Sequence, residues 1–161
     1  MVPLFILRFP NKVIHYGRRK KKKTFDTLLI EDNPGDITLI KEALKEGQNS
    51  IKLTVMGDGE EALVFLRKHD KYKNSPRPDI IPLDLNIPQK DGRDVLAEIK
   101  SDPELKHIPV LIFTSSEAPQ DIINAYDMQA NCYITKPVDL KQYFGIIKLV
   151  EEFWLKTVKL P

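Results

Sequence analysis

Residues 79–92 read Asp-Ile-Ile-Pro-Leu-Asp-Leu-Asn-Ile-Pro-Gln-Lys-Asp-Gly, a short apolar run that stops on an acid, Asp84, and gives way to a polar loop. Asp79 to Leu83 has the length and composition of a buried strand. Four runs of the same kind surround it: Thr27 to Ile30, Lys52 to Met56, Pro109 to Phe113 and Asn131 to Ile134. The stretches between them carry apolar residues at helical spacing, as in Ile37, Ile40 and Leu44; Ala62, Leu63 and Leu66; Val95, Leu96 and Ile99; and Ile122, Ile123 and Tyr126. Short β-branched runs alternating with amphipathic helices define an α/β chain, with a parallel sheet and crossover helices. Asp139 to about Leu155 reads as a long final helix, in which Phe144 and Ile147 suit a core and Phe153 and Trp154 look placed to meet another chain. Lys71 to Pro78, with two prolines, is a loop before the third strand.

Length leaves room for one domain: 161 residues, 42% apolar and 30% charged. No apolar stretch approaches the ~20 residues that cross a bilayer, so membrane insertion is not expected. The single cysteine, Cys132, excludes an intramolecular disulfide and a cysteine-based zinc site, and fits the reducing cytoplasm. The net charge of +2 hides an asymmetry. Residues 1–23 hold eight basic side chains and no acid, leaving 17 basic against 23 acidic residues in the remaining 138. The body is therefore acidic, and the basic balance is no nucleic-acid signature of the fold. Residues 1–24 read as a basic arm, with Arg18 to Lys23 its charge run, 25–155 as the folded domain and 156–161 as a tail. The start of the chain lacks the positive region and cleavage site of an export signal. His15, His69 and His107 have no ligand spacing and read as surface residues.

In an open parallel sheet, ligands bind beyond the carboxyl ends of the strands. Glu31 and Asp32 end the first run and Asp84 the third, which brings three acids to one edge if those strands are neighbours. Carboxylates so close raise one another's pKa unless a cation neutralises them. A hard divalent ion such as Mg²⁺, with a few oxygen ligands and several waters, answers that need and pairs naturally with a phosphoryl group. Thr114, Ser115 and Ser116 end the fourth run and Thr135, Lys136 and Pro137 the fifth. An ammonium facing carboxylates and a metal would complement a bound phosphoryl. Each feature alone is commonplace, since acids at loops usually cap helices or face water; their joint placement is what points to phosphoryl chemistry.

Four motifs now stand in order: Leu28-Leu29-Ile30-Glu31-Asp32-Asn33, Leu83 to Gly92, Phe113-Thr114-Ser115-Ser116 and Tyr133-Ile134-Thr135-Lys136-Pro137. With them the body resembles a response-regulator receiver domain of two-component signalling, over residues 25 to about 150. The tail and its tryptophan resemble the single-domain regulators that partner phytochrome-type kinases. The resemblance implies a flavodoxin-like (βα)5 fold, doubly wound, with strand order 2-1-3-4-5 and an extended last helix. It implies that Asp84 is the phosphoacceptor for a histidine kinase, that Asp32, Asp84 and the Asn86 carbonyl ligate Mg²⁺, and that Glu31 does so through water. Thr114 and Lys136 would contact the phosphoryl group, and Tyr133 would follow Thr114 as a switch. Asn86 and Ser116 would tune phosphoryl lifetime. Gly92 would serve the tight turn after the third strand, where a residue without Cβ is needed, and the Lys136–Pro137 bond would be cis.

Output would then be phosphorylation-dependent binding of a downstream protein, with a homodimer through the last helix as a further expectation, and no enzymatic activity beyond the chain's own phosphorylation and dephosphorylation. Two alternatives remain at this level. One is a degenerate receiver that binds partners without phosphorylation; the other is a phosphatase or dehalogenase-type hydrolase using Asp84, against which stand Asn86, where such enzymes place a second acid, and the lack of room for a cap domain. One departure is notable: Pro82 stands where an aliphatic residue is usual. A proline inside an internal strand leaves one acceptor without its donor unless the strand bulges.

Overall fold

The computed structural model describes residues 23–47 and 50–161. Five parallel strands form one sheet in the order 2-1-3-4-5: β1 (Thr24–Ile30), β2 (Ser50–Met56), β3 (Ile81–Leu83), β4 (Val110–Thr114) and β5 (Cys132–Thr135). The helices are α1 (Pro34–Lys45), α2 (Gly59–Leu66), α3 (Gly92–Ser101), α4 (Pro119–Asp127) and α5 (Leu140–Val150), and a π-helical turn, Glu151–Thr157, prolongs α5. This is the doubly wound α/β fold expected from the alternation of runs. β1 starts at Thr24, so the boundary drawn after residue 24 falls one residue inside the strand. Residues 1–22, most of the basic arm with His15, lie outside the described residues.

Strand alternation divides the core in two. Leu28, Ile30, Ile81, Leu83, Val110 and Ile112 meet one layer of helices, where Ala62, Leu66, Val95, Leu96 and Ile99 are fully enclosed. Leu29 and Phe113 face the other way, onto Ile40 and Ala43 of α1 and Tyr143 and Ile147 of α5. Lower on that face Phe25, Ile80, Leu111 and Leu155 form a third cluster, and Trp154 packs against it. Trp154 is thus half-buried within its own chain, contrary to the sequence expectation, because the π-helical turn carries it back toward the sheet; Phe153 remains exposed. No helix among the described residues is long and apolar enough to cross a membrane.

At the carboxyl edge of the sheet, side-chain caps set the starts of the α-helices other than α4. Asn33 accepts from the main-chain N–H groups of Gly35 and Asp36 at 2.8 and 3.1 Å, with Pro34 in the first turn. Asp91 accepts from Arg93 N at 2.8 Å, and Asp139 from Gln142 N at 2.9 Å. Such caps satisfy donors that the helix cannot. Gly92 meets the expectation of a residue without Cβ in the turn after β3. A Cβ there would lie 2.2 Å from the Asp84 carbonyl oxygen and 2.6 Å from Leu85 Cα, so close approach demands glycine, while the left-handed residue of the loop is Gln89, at φ 64°.

Pro82 lies on β3 opposite Leu111 of β4. Toward β1 the bridged pairs are Thr27 with Ile80 and Ile30 with Leu83, three residues apart on both strands, so no bulge absorbs the proline. Leu28 N donates to Ile80 O at 3.2 Å and Asp84 N to Ile30 O at 3.0 Å. The N–H that would complete the ladder between those two bonds belongs to residue 82, and proline has none.

Candidate functional site

The end of each central strand delivers one polar group to a common edge, and Lys136 joins them. Its Nζ donates to Glu31 Oε2 at 2.6 Å, Asp84 Oδ2 at 2.7 Å and Asp36 Oδ2 at 2.9 Å. β5 aims it there, with Lys136 N held by Thr114 O at 2.8 Å. Only 7% of the Lys136 side chain is exposed. Burial opposes its charge, but the bonds to Asp84, Glu31 and Asp36 outweigh that and hold its pKa above the usual lysine range. Glu31 is buried as well. Burial raises its pKa, against the lowering effect of Lys136 and of the Asn33 N–H, which donates to Oε1 at 3.0 Å. The remaining oxygen of Asp84, Oδ1, accepts from Asn86 N at 3.1 Å.

The cation that relieves the clustered acids is therefore in part the protein's own ammonium. Glu31 and Asp84 converge as the sequence requires, and Asp32 lies exposed at the same edge. Among the described residues no group of three His, Cys, Asp or Glu side chains forms a ready-made metal cage. The donors implied for magnesium are a different set, two carboxylates and the Asn86 carbonyl, all hard oxygens, which suits an ion that keeps much of its water.

Thr114 is fully buried at the end of β4, and its Oγ1 accepts from Ser116 N at 3.4 Å. Tyr133 is half-buried, and its hydroxyl donates to the Ser116 carbonyl at 2.9 Å. Burial raises the pKa of that phenol, so it remains a donor at neutral pH. Thr114 and Tyr133 thus meet at one residue, Ser116, which is the geometric link that letters alone could not give. The implied cis bond is not found. Lys136–Pro137 is trans, and among the described residues no peptide bond is cis; trans is the favoured X–Pro isomer by about 0.5–1 kcal/mol, and the trans chain already seats Lys136 on its carboxylates.

Two participants escaped the sequence reading. Asp36 takes one Lys136 bond and accepts from the Tyr143 hydroxyl at 3.3 Å. Tyr143 packs edge-on against Phe113, with ring centroids 5.3 Å apart. Burial first, and then the charge of Asp36, push its phenol well above the ordinary range. In sequence, Asp36 is an acid in the first turn of a helix and Tyr143 an aromatic on an apolar stripe; only the partner 100 residues away distinguishes Asp36 from a helix-dipole acid.

A doubly wound sheet whose strand ends gather acidic, hydroxyl and ammonium side chains around one buried aspartate defines a class of phosphoryl-handling signalling modules. The chain belongs to the response-regulator receiver family: residues 27–148 match the model of the response regulator receiver domain. It is 48% identical over 134 residues to the response regulator Rcp1 of Synechocystis sp., covering 83% of this chain and 91% of that protein. The crystal structure of the phosphorylated cyanobacterial phytochrome response regulator RcpA superposes with a TM-score of 0.84 at 50% identity, covering 86% of this chain and 99% of that one. The Mn²⁺-bound form of Rcp1 gives 0.82 at 47% identity, covering 85% and 99%. The chain is a response regulator of two-component signalling.

Proposed function

We propose that Asp84 is the phosphoacceptor, and that the observation carrying this is the Lys136 ammonium shared among Asp84, Glu31 and Asp36. An Asp84 carboxylate oxygen attacks the phosphorus of a phosphohistidine on the partner kinase. The P–N bond breaks, the P–O bond of an acyl phosphate forms, and the histidine nitrogen leaves with the bonding pair. Lys136 already contacts the accepting carboxylate and is the nearest cation to the charge that arrives. Asp32, Asp84 and the Asn86 carbonyl would hold Mg²⁺, with Glu31 linked through water; the ion supplies charge neutralisation between carboxylate and phosphoryl. The Thr114 hydroxyl then turns to the phosphoryl group, and Tyr133, tied to Ser116, reports that turn at the surface.

The surface that receives the report has exposed large hydrophobic side chains: Ile123 and Tyr126 on α4, and Val138 and Leu140 before and in α5, at 50% exposure or more. A downstream protein docks there. Leu149 and Phe153, exposed at 65% and 52% on the last helix, support a homodimer. The relatives described as phytochrome regulators support a phytochrome-type histidine kinase as donor, and the chain works beside that kinase in the cytoplasm. The chain carries out no chemistry on other molecules; its own phosphorylation and hydrolysis are its whole repertoire.

The test is phosphorylation by acetyl phosphate with Mg²⁺, read by intact mass. One phosphoryl per chain is expected, with at least a 100-fold loss in Asp84→Asn, which lacks the nucleophile. Continued turnover of acetyl phosphate over many equivalents would point to a hydrolase, and incorporation unaffected by Asp84→Asn would refute the assignment.

A further inference from the structure

Ser116 is held at every polar atom. Its N–H faces Thr114 Oγ1, its carbonyl accepts from Tyr133, and its Oγ accepts from Ala118 N at 3.4 Å and donates to Asp121 Oδ2 at 2.5 Å. Asp121 stands in the first turn of α4, a helix whose N-terminal position, Ala118, has no side-chain cap. Across the edge, Arg93 of α3 grips that carboxylate with two parallel bonds, Nε to Oδ1 at 3.0 Å and a terminal nitrogen to Oδ2 at 2.7 Å. Its other terminal nitrogen bonds both oxygens of Asp91, at 3.1 and 3.0 Å. Asp91 caps α3 and ends the loop that begins at Asp84. One guanidinium therefore ties the loop after β3 to the loop after β4. Bidentate arginine–carboxylate pairs fix orientation as well as distance. Arg93 and then Ser116 hold the pKa of Asp121 below the usual carboxylate range, so the pair is charged at neutral pH.

We infer that Arg93 is a positioning residue: through Asp121 it clasps Ser116, and with it Thr114 and Tyr133, in the resting arrangement that must be released when a phosphoryl group draws Thr114 toward Asp84. This deepens the phosphoacceptor reading and rests on it. Thr114 is two residues from Ser116, and the loop between them cannot follow the hydroxyl while Oγ and carbonyl are both pinned. A clasp that favours the resting state lowers the population competent for the phosphorylated form, and removing it raises the apparent affinity for any ligand that selects that form. Loss of ordinary structural support does the reverse.

The experiment uses the full chain with Mg²⁺ and beryllofluoride, a phosphoryl mimic, titrated by NMR on the parent protein, Arg93→Gln, Asp121→Asn, the double variant and Arg93→Lys. Each single variant is expected to bind beryllofluoride about 5-fold to 10-fold more tightly, a typical coupling between two linked sites. The double variant gains nothing further, because both changes break one clasp. Arg93→Lys falls between, having charge without the planar fork. Without the mimic, amide exchange over residues 115–121 speeds up about 10-fold in Arg93→Gln as the loop opens locally. Unchanged or weaker beryllofluoride binding in both single variants overturns the clasp. If the parent itself fails to bind the mimic, the phosphoacceptor reading has failed instead, and the exchange measurement alone decides the clasp: unchanged protection sinks it.

Discussion

The molecule buries polar side chains in two places and treats them differently. At the carboxyl edge of the sheet Glu31, Asp84, Thr114 and the Lys136 ammonium are all inside, and each is engaged by hydrogen bonds. Lower on the α1/α5 face the Glu151 carboxylate and the Thr27 hydroxyl are also buried, and the hydroxyl has no hydrogen-bond partner among the described residues. It lines a cavity of about 60 Å³ whose walls include Leu29, Ile80, Pro82, Leu111, Val150 and Leu155. A charge left unpaired in the interior is far costlier than a hydroxyl, so the edge where charges cluster has to be satisfied completely, while the mostly apolar lower face tolerates an orphan hydroxyl beside a void. Perfection is found where charge makes it obligatory.

Lys136→Ala should break that contrast most severely. It leaves buried carboxylates without their cation, and a loss of about 3–5 kcal/mol at neutral pH is the usual scale for one partner removed from a buried pair. The sign with pH follows from the shifts. Lys136 has a raised pKa when folded, so its stabilisation is complete below the ordinary lysine value of 10.5 and is lost as pH climbs through the folded value. Glu31, raised by burial, weighs against the fold as pH rises from 4.5 toward its folded pKa, and more so once Lys136 is gone. Denaturant midpoints of the variant should therefore recover on acidification toward pH 5; a pH-independent deficit would mean the carboxylates are not what Lys136 serves.

Repairs to the lower face should act in the opposite direction. Pro82→Leu restores a ladder donor and adds side chain beside the cavity, worth about 1–3 kcal/mol for a buried acceptor regained. Pro82→Ala restores the donor alone and separates the two contributions. Melting temperatures equal to or below that of the parent for both would show that the strand has already adapted to proline. Smallest is Thr27→Val, which removes the orphan hydroxyl at nearly constant shape; a gain of about 1 kcal/mol in denaturant unfolding is expected, and a loss would show that the hydroxyl has found a partner.

Much of the edge was legible because its residues announce themselves locally: Asp84, Glu31 and Lys136 each sit just past an apolar run, where a parallel sheet puts its working groups. Strand boundaries moved by up to three residues, most at the amino end of β1, where Thr24 and Ser50 of the neighbouring β2 pair although neither is apolar. Asp36, Tyr143, Arg93 and Asp121 were not legible. Their letters are those of ordinary helix turns and stripes, and their roles are created by partners 28 to 107 residues away. Gly92 was legible, as a residue without Cβ at the turn after the third strand, where an added Cβ would lie 2.2 Å from the Asp84 carbonyl oxygen. The isomer of Lys136–Pro137 depends on tertiary context and not on the dipeptide.

The π-helical turn that prolongs α5 has a practical corollary. It anchors Trp154, the single indole of the protein, beside Thr27 and Ile80 near the amino ends of the strands, whereas Asp84 lies past their carboxyl ends. The built-in optical reporter thus watches the melting of the distal helix and is shielded by the length of the sheet from events at the acidic rim. Emission would follow unfolding faithfully while staying almost silent to an arriving phosphoryl group.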